Sequence, residues 1–173
     1  AIAQAIGRER CDVSVPEKVL ELLRELIDTP STTGDESGVA SILERELRRD
    51  GYRVTRQEVL PGRDNLHAVR DGESPRLYFS THIDTVPPFL PYRREGDTIY
   101  GRGACDTKGG IVAMLEAGRR LRSQGANDLG FLFVVGEEVD HCGAKAAARM
   151  PFGTHDIVLC EPTLCRVIAA QKG

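Results

Sequence analysis

Apolar positions first recur with a helical period. Val19, Leu20, Leu22, Leu23, Leu26 and Ile27 form one stripe behind Pro16, a residue suited to a first helical turn, and the stripe stops before Pro30. Residues 31–34 read as a polar loop. A second helix is predicted over 35–49, with Val39, Ile42, Leu43 and Leu47 on one face and Asp50-Gly51 as its stop. The period then shortens. Residues 52–59 alternate, 65–69 make a short strand, and 76–83 read as a buried strand. A rigid loop carrying Pro87, Pro88 and Pro91 and a short extended piece at 98–100 lead into the glycine-rich GRGACDTKGG. A helix follows over 110–123, then a continuous apolar strand at 129–135, a short alanine-rich helix at 142–149, a buried strand at 156–160 and a last strand at 166–170. Strands alternating with helices predict an α/β fold with a largely parallel, sandwiched sheet in one domain.

Composition narrows the classes without naming one. The 173 residues are 40% hydrophobic and 28% charged, with a net charge of −3. Acidic and basic residues are interleaved, so neither a nucleic-acid nor a membrane surface is expected. No stretch approaches the ~20 apolar residues of a membrane span, and AIAQAIGRER lacks the apolar core of a secretory signal. Five scattered cysteines without a CxxC pair predict free thiols in a reducing, cytoplasmic compartment.

The candidate chemistry sits at strand ends, where functional groups of open α/β sheets gather. His82 and Asp84 follow LYFST, Glu137 and Glu138 follow FLFVVG, and Glu161 follows DIVLC. Asp106 joins them from the glycine-rich turn. Asp106, Glu138 and Glu161 together would repel one another in a dry cleft, and divalent cations resolve that repulsion. Imidazole and carboxylate donors suit two zinc ions, with cobalt or manganese as substitutes, and a short carboxylate such as Asp106 can bridge a metal pair. His82 and Asp84, two apart on a strand, face the same side, so Asp84 could hold the His82 ring by its second nitrogen. Each motif alone also has a plainer reading: a hydrogen-bonded surface histidine, or glutamates complementing a helix dipole. A phosphate loop is excluded, since neither GxxxxGK[ST] nor GxGxxG occurs.

In order along the chain, the blocks PSTTGDE, THIDTVP, YGRGACDTKGG, VGEEVDHCGA, CEPT and AAQKG run from Pro30 to the end. Together they resemble the metallohydrolase family of acetylornithine deacetylase, succinyl-diaminopimelate desuccinylase, aminoacylase and glutamate carboxypeptidase. The resemblance implies a three-layer α/β/α fold of the zinc-exopeptidase kind, a mostly parallel mixed sheet between helices. Residues 1–173 would be the first half of the catalytic metal-binding domain, ending before an inserted lid domain that mediates dimerisation. It implies His82 and Glu161 as ligands of the first metal, Glu138 of the second, and Asp106 as the bridge, with a cis bond from Asp106 to Thr107. Asp84 would support His82, and Glu137 would be the general base. Cys160 stands where the family has glycine, which would crowd the strand end. The family's second-metal histidine lies beyond Gly173, and His67, His141 and His155 match no ligand block. The implied activity is hydrolysis of N-acyl amino acids by a metal-bridged hydroxide, acetylornithine deacetylase-like. The alternatives are a di- or carboxypeptidase of the same family, or a chain that by itself is an inactive fragment or a non-catalytic metal-binding domain. The implied partners are a small N-acyl amino acid or short peptide, and a second copy of the full-length protein.

Overall fold

The computed structural model describes residues 15–72, 75–151 and 156–163. Two amphipathic helices open it: α1 (Glu17–Asp28) and α2 (Ser37–Arg49). The predicted stripes are the buried ones except for Leu20, which is half-buried, and Leu26, Ile27, Val39, Leu43 and Leu47 are fully covered. Both helices are adjacent to one face of the sheet or to a helix on that face: α2 lies on β1 (Arg53–Leu60) and β2 (Arg63–Val69), and α1 lies on α3 (Lys108–Ser123).

The main sheet has five strands in the order β1-β2-β6-β3-β7, with β3 at Leu77–His82, β6 at Leu129–Val134 and β7 at Asp156–Leu159. It is mixed. β1, β2 and β6 pair antiparallel, whereas β6, β3 and β7 run parallel. The parallel half therefore brings three carboxyl ends to one edge. Alternation along β6 explains the layers. Leu129, Phe131, Phe133 and Val135 join the core under α1, α2 and α3, while Leu132 and Val134 pack with Val69, Tyr78 and Ala147 of α4 (Cys142–Ala147) on the opposite face. No helix of the described residues is long and apolar enough to cross a membrane. Cys105 and Cys142 are free thiols.

Two details differ from the sequence expectation. The segment after the proline loop is a hairpin, β4 (Arg93–Glu95) against β5 (Thr98–Tyr100). Its first strand is all charged and exposed, so no apolar alternation announces it. The strand at 156–160, expected to be buried, is instead exposed: Ile157, Val158 and Leu159 stand at 55%, 47% and 66%. It lies at the end of the strand order and pairs with β3 alone among the described residues. Its apolar run resembles that of an inner strand, and hydrophobicity does not tell an edge from a centre. The strand expected at 166–170 lies outside the described residues.

Candidate metal centre

Each functional side chain is placed by a strand end or a braced turn. β3 delivers His82, 2% exposed, and the chain beyond it delivers Asp84, 1% exposed. β6 ends at Val134, and the chain continues through Val135, turns at Gly136 with φ 71°, and presents Glu137 and Glu138. Asp106 comes from the turn ahead of α3, where its bond to Thr107 is cis. Two threonines tie these pieces together. Thr107 donates through Oγ1 to the His82 carbonyl at 3.0 Å, and Thr81 donates to the Cys160 carbonyl at 2.8 Å.

The base of the glutamate turn is equally fixed. The Asn65 side chain accepts from the Val135 amide at 3.1 Å and donates to the Gly143 carbonyl at 2.8 Å. A Cβ on Gly143 would lie 2.3 Å from the Val135 carbonyl oxygen and 2.6 Å from its nitrogen. Backbone cannot give way as a side-chain tip can. Gly143→Ala is therefore expected to destabilise by about 1–3 kcal/mol, read as a lowered melting temperature; an unchanged melting temperature would refute this close approach.

One donor atom from each of His82, Asp106 and Glu138 lies within 4.8 Å of the others. His82 Nε2 is 3.1 Å from Asp106 Oδ1 and 3.9 Å from Glu137 Oε2. Its other nitrogen, Nδ1, lies 2.9 Å from the Asp84 main-chain carbonyl and 3.4 Å from the Asp84 carboxylate. A carbonyl can only accept, so Nδ1 donates to it, and Nε2 is the nitrogen turned toward Asp106 and Glu137, where a bound metal would displace its proton. The Asp84 carboxylate has further partners: Oδ1 accepts the Glu137 amide at 3.0 Å, and Oδ2 accepts the Glu138 amide at 3.1 Å and the Thr33 hydroxyl at 2.7 Å. Glu161 does not join the trio, but it lies near enough for their charges to perturb its carboxyl.

The electrostatics describe a cluster with excess negative charge. Burial opposes a charge on His82, yet the carboxylates of Asp84, Asp106 and Glu137 outweigh it and raise the imidazole to about 9. For Asp84 burial works upward, and His82, Thr33 and the two glutamate amides pull the carboxyl down to about 2. Burial raises Glu138 and Glu161; Asp106 and Glu137 add to this, while His82 opposes it. A divalent cation is the other way to neutralise such a group, and one imidazole with several carboxylates is a donor set that zinc, cobalt and manganese accept.

The remaining candidates sort themselves by position. Cys160 is accommodated because its Sγ occupies the space a Cβ on Gly110 would need, 2.5 Å away. His67 is 3.0 Å from the Tyr78 hydroxyl, away from the cluster's strand ends, and His155 lies outside the described residues. Sequence reasoning gave His141 no role, yet its Nδ1 lies 3.6 Å from Glu137 Oε1, with the backbone in the left-handed region at φ 55°. It also overlooked Lys108, 2% exposed, whose Nζ donates to the Thr29 carbonyl at 2.9 Å and so pins the start of α3 to the end of α1. Burial lowers that amine to about 8 against the pull of Asp28. The signal for Lys108 was its place directly after Asp106-Thr107.

With this geometry in hand, similarity to known proteins is specific. Residues 78–169, more than half of the chain, match the peptidase family M20/M25/M40, and the chain belongs to that family. A peptidase M20 domain-containing protein of Schizosaccharomyces pombe is 36% identical over 165 residues, covering 91% of this chain and 41% of the relative. A probable carboxypeptidase of Aspergillus clavatus is 30% identical, covering 94% of this chain and 43% of its own length. The crystal structure of a tripeptidase from Staphylococcus aureus superposes with a TM-score of 0.63 at 31% identity, over 75% of this chain and 39% of that one. The chain thus spans less than half the length of these relatives. The matched family is one of peptidases, and the donor atoms of His82, Asp106 and Glu138 are a set that a divalent ion accepts.

Proposed function

We propose that the protein to which this chain belongs hydrolyses the amide bond of a short peptide or an N-acyl amino acid at two divalent metal ions, with Glu137 as general base. The convergence of His82, Asp106 and Glu138 within 4.8 Å carries this reading. His82 and Glu161 would hold the first ion, Glu138 the second, and Asp106 both. When bound, the ions polarise the scissile carbonyl and acidify a water.

The chain's own residues do the rest. Glu137, one-third exposed and beside His82 Nε2, takes a proton from the attacking water and hands it to the leaving amine. Asp84 fixes the glutamate turn and, through its carbonyl, the His82 ring. The Asp106 side chain is 48% exposed, so the ligand cluster is reachable from solvent.

Short peptides lead, because relatives at 30–31% identity are named as a carboxypeptidase and a tripeptidase. The deacetylase-like reading rests on the sequence blocks around His82, Asp106 and Glu161. In the same reading the chain is the first half of a catalytic domain in a cytoplasmic enzyme that dimerises through a lid, and the rest of that enzyme supplies a histidine to the second ion.

The test is metal dependence. Loading with zinc, cobalt or manganese is expected to raise the melting temperature and a chelator to lower it, since saturation at a hundred times Kd adds about 2.7 kcal/mol. The full-length protein should cleave di- and tripeptides or N-acetyl amino acids only when loaded. Hydrolysis that survives complete chelation would overturn the proposal.

A further inference from the structure

The segment from Pro30 to Glu36 carries none of the proposed ligands, yet it is bolted to the residues beside them. The Thr33 amide donates to the Thr85 carbonyl at 3.2 Å, and the Thr85 amide donates back to the Ser31 carbonyl at 2.9 Å. This pairing fixes the loop between α1 and α2 against the chain just beyond Asp84. From there the Thr33 hydroxyl donates to Asp84 Oδ2 at 2.7 Å, across 51 residues of sequence. The same carboxylate takes the main-chain amides of Glu137 and Glu138 at 3.0 and 3.1 Å.

A carboxylate that clamps two consecutive amides must hold its plane. The terminal torsion of aspartate is broad and roughly two-fold, so the side chain alone does not set that plane. His82 Nδ1 stands 3.4 Å from Oδ1, and the Thr33 hydroxyl, arriving from a separate loop, is the side-chain donor that holds Oδ2. The turn it clamps has its other bonds further along, from the Asp140 and His141 amides to the Gly136 carbonyl. Nothing in those bonds orients the two glutamate amides.

We propose that Thr33 is a positioning residue which, through Asp84, holds the main chain of Glu137 and Glu138 and so keeps the general base in register with the ligand beside it. The catalytic part of this statement rests on the function proposed above; the mechanical part does not. Thr33→Val keeps the shape and removes only the hydroxyl, and Thr33→Ser keeps the hydroxyl.

Both variants belong in the full-length protein, with two readouts. The first is hydrogen exchange by mass spectrometry. Thr33→Val should speed exchange in the peptide spanning Val135 to His141 about tenfold, the ratio for losing about 1.4 kcal/mol of local restraint. The β6 core around Phe131 and Phe133 should keep its wild-type exchange, which a general loss of stability would not allow. Thr33→Ser should behave as wild type. The second is kinetic: kcat should fall about tenfold with KM unchanged, and Thr33→Ser should restore it. Wild-type exchange in the Val135–His141 peptide, or equal acceleration across the β6 core, overturns the positioning role. Local acceleration in Thr33→Val, together with full turnover in Glu137→Ala, leaves Thr33 in place and removes the assigned general base instead.

Discussion

Glu137→Ala in the full-length, metal-loaded protein should lower kcat by about a thousandfold, within the ~10²–10⁴ that a positioned acid–base group contributes. The same variant should bind metal as the wild type does. The two halves of this expectation come from different atoms. Glu137 is not one of the three residues whose donor atoms converge, so its removal leaves His82, Asp106 and Glu138 intact. Its main-chain amide is held by Asp84, and alanine retains that amide while losing the side-chain contacts with His141 and His82. The turn should therefore stay where it is while only the carboxylate disappears. Metal content by mass spectrometry beside a turnover assay reads both halves. A variant within tenfold of wild type would remove Glu137 from the chemistry. A variant without metal would show that the side chain also serves as a ligand.

The site was more legible in the sequence than its supports were. His82, the glutamate pair and Glu161 stand where apolar runs end, and a run of apolar residues is a local signal. Parallel pairing then places those ends on one edge, as it does for β6, β3 and β7. Burial of β7 was not legible, because whether a strand is inner or outer depends on partners elsewhere in the chain. Nor was β4, whose charged residues carry no alternation at all. The supports were less legible for the same reason. Asp84 was expected to brace the His82 ring, and its carboxylate stands 3.4 Å and its carbonyl 2.9 Å from Nδ1; the further bonds of that carboxylate to Thr33, Glu137 and Glu138 had no signal in the sequence. A polar side chain with three acceptable partners shows none of them in its own neighbourhood of sequence. The block containing Thr33 could be matched to a family, but its bond to Asp84 exists only in three dimensions.

The largest stability effect should arise a short way from the cleft, at Arg63. Glu36, fully buried at the start of α2, is held by this one residue of β2 through contacts of 2.6, 2.9 and 3.2 Å. The arginine is itself only 14% exposed. Removing one partner of a buried pair leaves a charge without compensation, and Arg63→Leu should therefore destabilise by about 3–5 kcal/mol. Glu36→Gln should be milder, because it retains acceptor and shape and leaves a charge with Asp140 nearby. Replacing both residues with leucine should recover much of the loss, as an apolar pair needs no solvation. Urea denaturation of the wild type, Arg63→Leu, Glu36→Leu and the double variant measures the cycle. A loss below about 1 kcal/mol for Arg63→Leu would class the pair with exposed ion pairs. The consequence also reaches the site, since a Cβ on Gly136 would meet the Arg63 guanidinium at 2.9 Å. The arginine that neutralises Glu36 thus packs against the turn that presents Glu137 and Glu138, so Arg63→Leu should loosen that turn in addition to lowering the denaturation midpoint.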